Sequence, residues 1–461
     1  PPSPPCCGAL DDPPPMFVSQ RPPGGFKYQA LTPELLGMSE ELASLGGGDT
    51  RVGKLSVHVR VCPTPHLASP IVTVAEDVVS VRDPRCGDDI PASQATRRYK
   101  VTEALPSHTR QDQLHSSLGK EALEWFLDGF NATIVTYGQS GTGKTHSLFG
   151  VGAGRSDGDL GLIPRMLADF FRRVGTDCKV GVSAWELLGN QTVDLLRPGD
   201  AGAWEGGAPL PGAPTDFTTV EVASLRDTHA ILAHARRGSC CWASGPDGAA
   251  PDGAGGAVHT PSTPLPNRAH AFLRLVLVDG AAQRVSTLHV VDLVGSQSLS
   301  GHFEPKGTHL QQRERERRLA GQQLLAFSRV IAELSQRSTA ASADPPGVAS
   351  GRAAGAPGAS KLVSARDSRL TQLLGPLLAG NSRTFLLVAA SAAAADYLDT
   401  INTLRVAHRA RSISTACMRT PGVSPADIPT VPLWKVLSWK HLQQTIPGRG
   451  AEAPAPRAEP T

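Results

Sequence analysis

The 461-residue sequence predicts a layered α/β fold, in which helices cover both faces of a β-sheet. Apolar runs of strand length alternate along the chain with longer amphipathic runs of helix length. One apolar run leads directly into the glycine-rich stretch "GQSGTGKT" at 138–145, and a later one ends in "VVDLVGSQ" at 290–297. These two stretches place polar groups directly after buried strands, and they carry most of the chemistry that the sequence predicts.

The predicted elements follow the two hydrophobic periods. Strands are predicted from alternating or continuously apolar runs at 54–61, 132–138, 180–188, 271–280, 286–295 and 383–391. Helices are predicted from longer amphipathic runs at 120–130, 164–174, 319–336 and 396–412. The Gly/Ala/Pro-rich stretches at 245–266 and 338–360 exceed the ~12 to 15 residues of ordinary connections. We therefore predict that they are expanded surface loops.

Composition also predicts the domain organisation. Residues 1–50 are predicted to be a disordered or linker segment rich in Pro and Gly, and residues 51–415 to be the folded domain. Residues 416–461 are predicted to be a Pro-rich linker and tail that includes a short amphipathic stretch at 433–444. Because the chain begins at Pro1 and both ends are rich in Pro, Ala and Gly, we expect it to be a piece of a longer protein.

Bulk charge and cysteine usage exclude some classes of protein. With 45 basic and 42 acidic residues, any polyanionic partner must be met by a local patch, and nothing indicates nucleic acid. No apolar run has transmembrane length, so membrane insertion is not expected. The eight cysteines show no C-x-x-C spacing, and no secretory apolar region begins the chain. A reducing cytoplasm is the expected setting.

The stretch at 138–145 matches the phosphate-binding pattern G-x-x-x-x-G-K-[ST]. Backbone N–H groups and the start of the following helix converge on phosphate in such loops, and glycines allow the close approach. Lys144 is expected to neutralise phosphate charge and Thr145 to ligate Mg²⁺, with Asp292 completing the metal site. A chance glycine-rich turn is the alternative, which the flanking strand and helix disfavour. The expected nucleotide contacts here are Gly138, Gln139, Ser140, Gly141, Thr142, Gly143, Lys144 and Thr145.

Several motifs together resemble the kinesin motor domain. "GFNATIVTYGQSGTGKTHSLFG", "VVDLVGSQ", "ARDSRLTQLLGPLLAGNSRT" and "TINTLRVAHRAR" look like that family's P-loop, switch II, loop 12 with helix 5, and final helix, in the same order. The resemblance covers about 52–413. It implies a central, mostly parallel eight-stranded sheet, ATP or ADP with Mg²⁺ as ligand, and microtubules as partner. It also implies that Arg60 and Pro63 flank the adenine and that Gly295 meets the nucleotide, although Cys62 stands where a second arginine is expected.

The chain departs from the family pattern at both switches. Where switch I reads N-x-x-S-S-R-S-H, this chain reads "TPLPNRAH" at 263–270, so Pro266 and Asn267 replace the two serines while Arg268 is retained. Proline offers neither a hydroxyl nor a backbone N–H to the γ-phosphate. In switch II, Gln297 replaces the glutamate that pairs with the switch I arginine, and an amide cannot take up a proton.

These changes predict weak hydrolysis. Losing a positioned acid–base group costs roughly 10²- to 10⁴-fold in rate, and losing a preorganised donor costs about another 10²- to 10³-fold. The combination resembles the divergent eleventh kinesin class, which implies an ATPase-deficient domain that acts as a microtubule-bound scaffold or regulator of signalling. A conventional motor with slow turnover, and an interaction module in which nucleotide binding is vestigial, remain as alternatives.

A basic stretch is expected to face the microtubule, because tubulin is acidic and the family fold presents this region to it. Glu314 and Glu316 alternate with its arginines, so composition alone would favour a solvated helix. The segment at 414–432 is rich in Pro and Gly and is predicted to be a spacer rather than a docking strand. The residues expected at the microtubule are Lys306, Arg313, Arg315, Arg317, Arg318, Lys361, Arg366 and Arg369, with Arg383 as an extension.

Overall fold

A wide β-sheet organises the computed structural model. Nine of its strands lie in the spatial order β16-β10-β8-β11-β12-β7-β13-β2-β6, and the short strands β9 and β15 pair with β8 and β12. The four neighbouring pairs from β12 to β6 are parallel, and so is the pair of β16 and β10 at the other edge. β8 pairs antiparallel with both of its neighbours, and β11 pairs antiparallel with β12. The structure describes residues 50–63, 69–86, 90–150, 160–175, 177–197, 217–242, 269–282, 284–296, 308–341, 364–421, 430–433 and 436–437.

The strands have the following bounds. Those of the first half are β1 Thr50–Lys54, β2 Ser56–Val61, β3 Val72–Ala75, β4 Val78–Arg82, β5 Thr96–Lys100, β6 Glu103–Leu105, β7 Ala132–Gly138 and β8 Cys178–Leu188. Those of the second half are β9 Gln191–Asp194, β10 Val220–Val222, β11 Ala269–Asp279, β12 Arg284–Asp292, β13 Arg383–Ala390, β14 Ser414–Met418, β15 Thr420–Pro421 and β16 Val431–Pro432.

The helices of the described residues have the following bounds: α1 Ala92–Ala95, α2 Gln111–Leu114, α3 Lys120–Leu127, α4 Lys144–Phe149, α5 Leu162–Arg173, α6 Leu225–Gly238, α7 Thr308–Ala341, α8 Arg369–Ala379 and α9 Tyr397–Ala410. A π-helical turn, His115–Gly119, joins α2 to α3. The helix predicted at 319–336 lies inside the much longer α7. The small strands β3 to β6 were not predicted, because short elements carry too few residues to show a period. The 14-residue helix α6 was also not predicted, although it is long enough to show one.

Helices cover both faces of the sheet, as the sequence predicts. Side chains of α7, α8 and α9 form one apolar cluster with Val135 of β7, while side chains of α3, α5 and α6 form a second cluster with its neighbour Ile134. Successive strand residues point to opposite faces, which explains why two adjacent residues join different clusters. The predicted α/β fold is therefore confirmed, and the strand count agrees roughly with the eight that were predicted.

The chain after α9 packs on the domain, so the prediction of a spacer at 414–432 is wrong for the described part of this segment. β14 pairs antiparallel with β1, β15 pairs with the start of β12, and β16 pairs with the edge strand β10. β14 runs across the predicted boundary at residue 415. Ile413, Thr415 and Cys417 are buried and alternate with more exposed neighbours. That two-residue period was present in the sequence, but the nearby prolines and glycine outweighed it.

A separate three-stranded sheet, β3-β4-β5, lies against α9. The His408 ring packs edge-on against Tyr99, and its Nδ1 lies 3.0 Å from the Lys100 carbonyl oxygen. Within the described residues, none of the helices is long and apolar enough to cross a membrane.

Candidate nucleotide-binding site

The loop between β7 and α4 has the backbone that phosphate binding requires. Gly138, Gly141 and Gly143 all have positive φ, at +136°, +79° and +88°. Residues with a side chain rarely adopt these conformations. A Cβ on Gly138 would also lie 2.1 Å from the Ala389 carbonyl oxygen of the neighbouring strand β13. Gly138 is therefore required both by its φ and by the close approach of β13.

Lys144 begins α4 and folds back over this loop. Its Nζ donates to the carbonyl oxygens of Gly138 at 2.9 Å and of Gln139 at 2.8 Å. The side chain is only 7% exposed, and burial lowers the pKa of Lys144 to about 8, although the nearby Asp292 carboxylate acts in the opposite direction. A buried cation in this position is available to an anion that enters the loop.

Thr145 and Asp292 meet as a candidate cation site. Thr145 Oγ1 donates to Asp292 Oδ2 at 2.6 Å, and Thr136 Oγ1 donates to the other carboxylate oxygen at 2.9 Å. Burial raises the pKa of Asp292, while hydrogen bonds from Thr145 and the charge of Lys144 oppose that shift. Strands β7 and β12 are parallel neighbours, so both of them end at this edge of the sheet. A hydroxyl and a carboxylate suit a hard divalent cation such as Mg²⁺, so these residues fit the expected metal.

The segment after β12 packs directly on the phosphate loop. Ser296 N–H donates to the Gly138 carbonyl oxygen at 2.9 Å, and a Cβ on Gly295 would lie 2.6 Å from Ser140. Val294 N–H donates to Nδ1 of His270 at 3.3 Å. Burial lowers the pKa of His270 to about 3, so the ring is neutral at physiological pH. Gly295 thus lies beside the phosphate loop, and its contact with a nucleotide stays a prediction.

The altered switch positions Pro266, Asn267, Arg268 and Gln297 lie outside the described residues. The alterations at these four positions are therefore features of the sequence.

Arg60 is held within the fold. Its guanidinium donates to Ser147 Oγ at 2.8 Å, Gln111 Oε1 at 3.1 Å and the Thr109 carbonyl oxygen at 3.0 Å. These bonds tie β2 to α4 and α2. Pro63 is exposed, so of the two residues expected to flank the adenine it is the accessible one. The roles of both residues beside an adenine stay predictions.

Glu186 of β8 is a site residue that the motifs did not identify. Its carboxylate accepts hydrogen bonds from the Ser239 hydroxyl and from the N–H groups of Cys240, at 2.9 Å, and Cys241, at 2.8 Å. Through these bonds Glu186 fixes the end of α6 next to Asp292, because Cys241 Sγ lies 3.7 Å from Asp292 Oδ2. The sequence feature that could have identified Glu186 is the presence of a carboxylate inside the apolar run at 180–188.

The start of α7 carries the predicted microtubule arginines, but acidic side chains accompany them. Glu314 pairs with Arg317 at 2.8 Å and with Arg318 at 2.9 Å. Arg315 and Arg366 are exposed, and Arg369 at the start of α8 is partly exposed. Lys306, Lys361 and the Arg313 side chain lie outside the described residues.

Arg383 does not extend this face, so that prediction is wrong. It begins β13, and the sheet register places it at the edge opposite the phosphate loop. Its guanidinium donates to Glu121 at 2.8 Å and lies 5.6 Å from the centre of the Trp125 ring. Those contacts are made on the side of α3, and Arg383 is only 12% exposed.

Comparisons with known proteins agree with this geometry. The family model described as "Kinesin motor domain" matches residues 71–239 and 260–413, which is more than half of the chain. Kinesin-related protein 1 of Dictyostelium discoideum is 27% identical over 336 residues, or 68% of this chain and 13% of that protein. Kinesin-like protein KIF19 of Xenopus laevis is 27% identical over 399 residues, or 81% of this chain and 35% of that protein. The chain therefore spans a minor part of these relatives.

Solved structures show the same fold at low identity. A KIF14 dimer, solved with AMP-PNP in complex with a microtubule, superposes with a TM-score of 0.62 at 21% identity and covers 82% of this chain and 98% of its own. The structure of a fast kinesin gives a TM-score of 0.57, also at 21% identity, and covers 82% of this chain and 97% of its own.

Proposed function

The chain belongs to the kinesin motor domain family, and from this membership we propose that it binds ATP or ADP with Mg²⁺, docks on microtubules and hydrolyses ATP poorly or not at all. The single observation that carries nucleotide binding is the contact between Thr145 and Asp292 at 2.6 Å, beside the buried Lys144. Residues from two distant parts of the chain converge at this edge of the sheet, which a chance glycine-rich turn would not produce.

The roles of the binding residues follow from their positions. Backbone N–H groups of the loop from Gly138 to Gly143 would surround the β-phosphate, and Lys144 would exchange its two carbonyl partners for phosphate oxygens. Thr145 and Asp292 would hold Mg²⁺, which when bound neutralises phosphate charge. Gly295 leaves the room that a side chain would take from Ser140, so the segment after β12 can lie close to the phosphates.

Poor hydrolysis rests on the altered switch sequences. Pro266 and Asn267 replace hydroxyls that would meet the γ-phosphate and metal shell, and Gln297 replaces the carboxylate expected opposite Arg268. Even with strong overlap between the two losses, a turnover near the enzyme median of about 10 s⁻¹ would fall below about 0.1 s⁻¹. Such a rate is too slow to drive stepping.

Microtubule binding rests on family membership and on exposed arginines. Arg315 of α7 and Arg366 before α8 are exposed on helices that share one face of the sheet. Their charge complements acidic tubulin across a solvated interface. A domain that binds without cycling would serve in the cytoplasm as a scaffold or regulator on the cytoskeleton, with signalling adaptor proteins as possible partners, as in the eleventh kinesin class.

A nucleotide titration beside a phosphate-release assay tests this function. We expect ADP or ATP with Mg²⁺ to raise the thermal stability of the domain, by about 2.7 kcal/mol at a concentration 100 times Kd. Phosphate release with saturating microtubules should stay below about 0.1 s⁻¹. Robust microtubule-stimulated release would favour the conventional motor. A complete lack of stabilisation by either nucleotide would favour the interaction module without nucleotide.

A further inference from the structure

The chain after α9 is fastened to the domain at two separate places. The first tether is β14, which pairs with β1, together with β15, which pairs with the start of β12. The second tether is β16, which pairs with the edge strand β10, together with Leu437. Two strands of the sheet, β11 and β8, lie between β12 and β10. We call the described residues of this segment the strap, and they are 414–421, 430–433 and 436–437.

Two arginines and one aromatic ring hold the first tether. The guanidinium carbon of Arg419, between β14 and β15, lies 5.0 Å from the centre of the Phe130 ring, and that of Arg51 in β1 lies 4.6 Å from the same ring. Phe130 is 1% exposed, and cation–π contacts are stronger where water is excluded. Arg419 Nε also donates to the Asp128 carbonyl oxygen at 2.9 Å, and Arg51 pairs with the Asp128 carboxylate at 2.9 Å. The strands β1 and β14 are thus joined by side chains as well as by their ladder.

A backbone bond and an apolar side chain hold the second tether. Val431 N–H donates to the Thr219 carbonyl oxygen at 2.7 Å, and Thr430 Oγ1 donates to Glu221 Oε2 at 3.0 Å. Leu437 is 2% exposed and joins the apolar cluster that α3, α5 and α6 form on the sheet. Burial of a whole leucine side chain is a large single contribution, whereas β16 adds only two paired residues. Leu437 is therefore the main anchor of this tether.

Both tethers are fastened far from the phosphate site. β15 pairs with Arg284 at the start of β12, whereas Asp292 ends that strand beside the phosphate loop. At about 3.3 Å per residue, these two ends are about 26 Å apart. β10 pairs near the start of β8, and Glu186 lies toward the other end of β8, where the cation site is. A ligand shifts a conformational equilibrium only through different interactions with the two states. Nucleotide at the phosphate loop should therefore leave both tethers closed.

We propose that the strap holds the chain after α9 on the domain in every nucleotide state. The chain that follows Leu437 then leaves the domain at the β10 edge of the sheet instead of at the end of α9. A strap that stays closed keeps changes at the phosphate site from moving this part of the chain. The comparison of nucleotide states rests on the proposed function, but the contacts of the strap involve no nucleotide.

Hydrogen–deuterium exchange tests the strap in the wild-type protein. Peptides that cover β14 and β16 should be protected, and their exchange rates should agree with ADP, with a non-hydrolysable ATP analogue and without nucleotide. A rate in β14 or β16 that differs by more than about tenfold between the two nucleotides would overturn the proposal. Exchange as fast as in an unfolded chain, in any of the three states, would also overturn it.

Variants test the strap without nucleotide. Leu437→Ser should speed exchange of β16 by about tenfold or more, and Arg419→Ala should speed exchange of β14 without opening the apolar cluster. Leu398→Ser is the matched control, because Leu398 of α9 is 63% exposed, and it should change neither strand. Exchange of β7, at the centre of the sheet, should stay at the wild-type rate in all three variants, which separates release of the strap from unfolding.

Unchanged protection of β16 in Leu437→Ser and of β14 in Arg419→Ala would show that these contacts do not hold the strap, and would overturn the proposal. If neither nucleotide binds while both variants release their tethers as expected, the proposed nucleotide function fails and the strap stands.

Discussion

The phosphate site and the start of α7 both bring basic and acidic side chains together, but they do so in different surroundings. Lys144 and Asp292 are 7% and 1% exposed, whereas the side chain of Arg318, which pairs with Glu314, is 66% exposed. Charges interact strongly where water is excluded and weakly where solvent and salt screen them. One substitution should therefore decide nucleotide binding, while microtubule affinity should be spread over many small contributions.

The largest expected effect is at Lys144. Lys144→Ala should weaken ADP binding by about 100-fold, because it removes a buried cation whose charge nothing else in the loop replaces. Fluorescent-nucleotide titration measures this change. Lys179→Ala is the control, since Lys179 is exposed near the start of β8, at the sheet edge opposite the phosphate loop. A loss of less than about fivefold would show that Lys144 serves only to close the loop.

A smaller effect is expected from pH. The pKa of Lys144 is lowered to about 8, and bound phosphate stabilises the protonated form. Binding must therefore take up a proton above that value, and affinity should fall as pH rises through it. Between about pH 7 and pH 9 we expect a tenfold loss of ADP affinity, measured by calorimetry. Lys144→Arg should flatten this dependence because arginine stays charged. A wild-type ADP affinity that does not change between these pH values would contradict a buried Lys144 in the site without nucleotide.

The exposed face should respond more weakly. Glu314→Gln would free Arg317 and Arg318 from their ion pairs, so we expect about threefold tighter microtubule binding at low salt. Cosedimentation measures it. Glu124→Gln changes net charge equally and breaks an ion pair with Arg173 at 2.6 Å on the other helical layer. It should leave microtubule affinity unchanged. Equal gains in both variants would indicate a general charge effect.

The smallest change is expected from restoring one switch residue. Gln297→Glu alone should leave phosphate release at its basal rate, because Pro266 still withholds a donor from the γ-phosphate. A variant that also carries Pro266→Ser and Asn267→Ser should regain measurable microtubule-stimulated turnover. Robust activity in the single variant would show that the switch I changes are tolerated.

The sequence predicted the features that a local pattern specifies. Thr145 and Asp292 could be placed together because a motif identifies the first and a strand end positions the second. Arg383 could not be placed, because its contacts with Glu121 and Trp125 depend on how α3 packs beside β13. Cys241 escaped notice for the same reason. Its approach to Asp292 is set by Glu186, which is distant in sequence.

For the strands beyond α9, a local signal in the sequence predicted the wrong structure. β14 has the alternation of a strand, with Thr415 and Cys417 buried. Pro421 and Gly422 are breakers, and they suggested a spacer. Pairing with β1, which lies more than 350 residues earlier, outweighed that local signal. Nonlocal strand pairing is not visible in a single sequence without a partner to match it.

We propose that the domain binds nucleotide without a change in its affinity for the microtubule. A ligand shifts a conformational equilibrium only through its different affinities for the two states. With Pro266, Asn267 and Gln297 at the switches, the γ-phosphate should have little such preference. Cosedimentation with saturating non-hydrolysable ATP analogue and with ADP tests this directly. We predict that the two microtubule affinities differ by less than about fivefold, a coupling below about 1 kcal/mol. A difference of about tenfold or more would show that nucleotide controls microtubule affinity and would indicate a working motor.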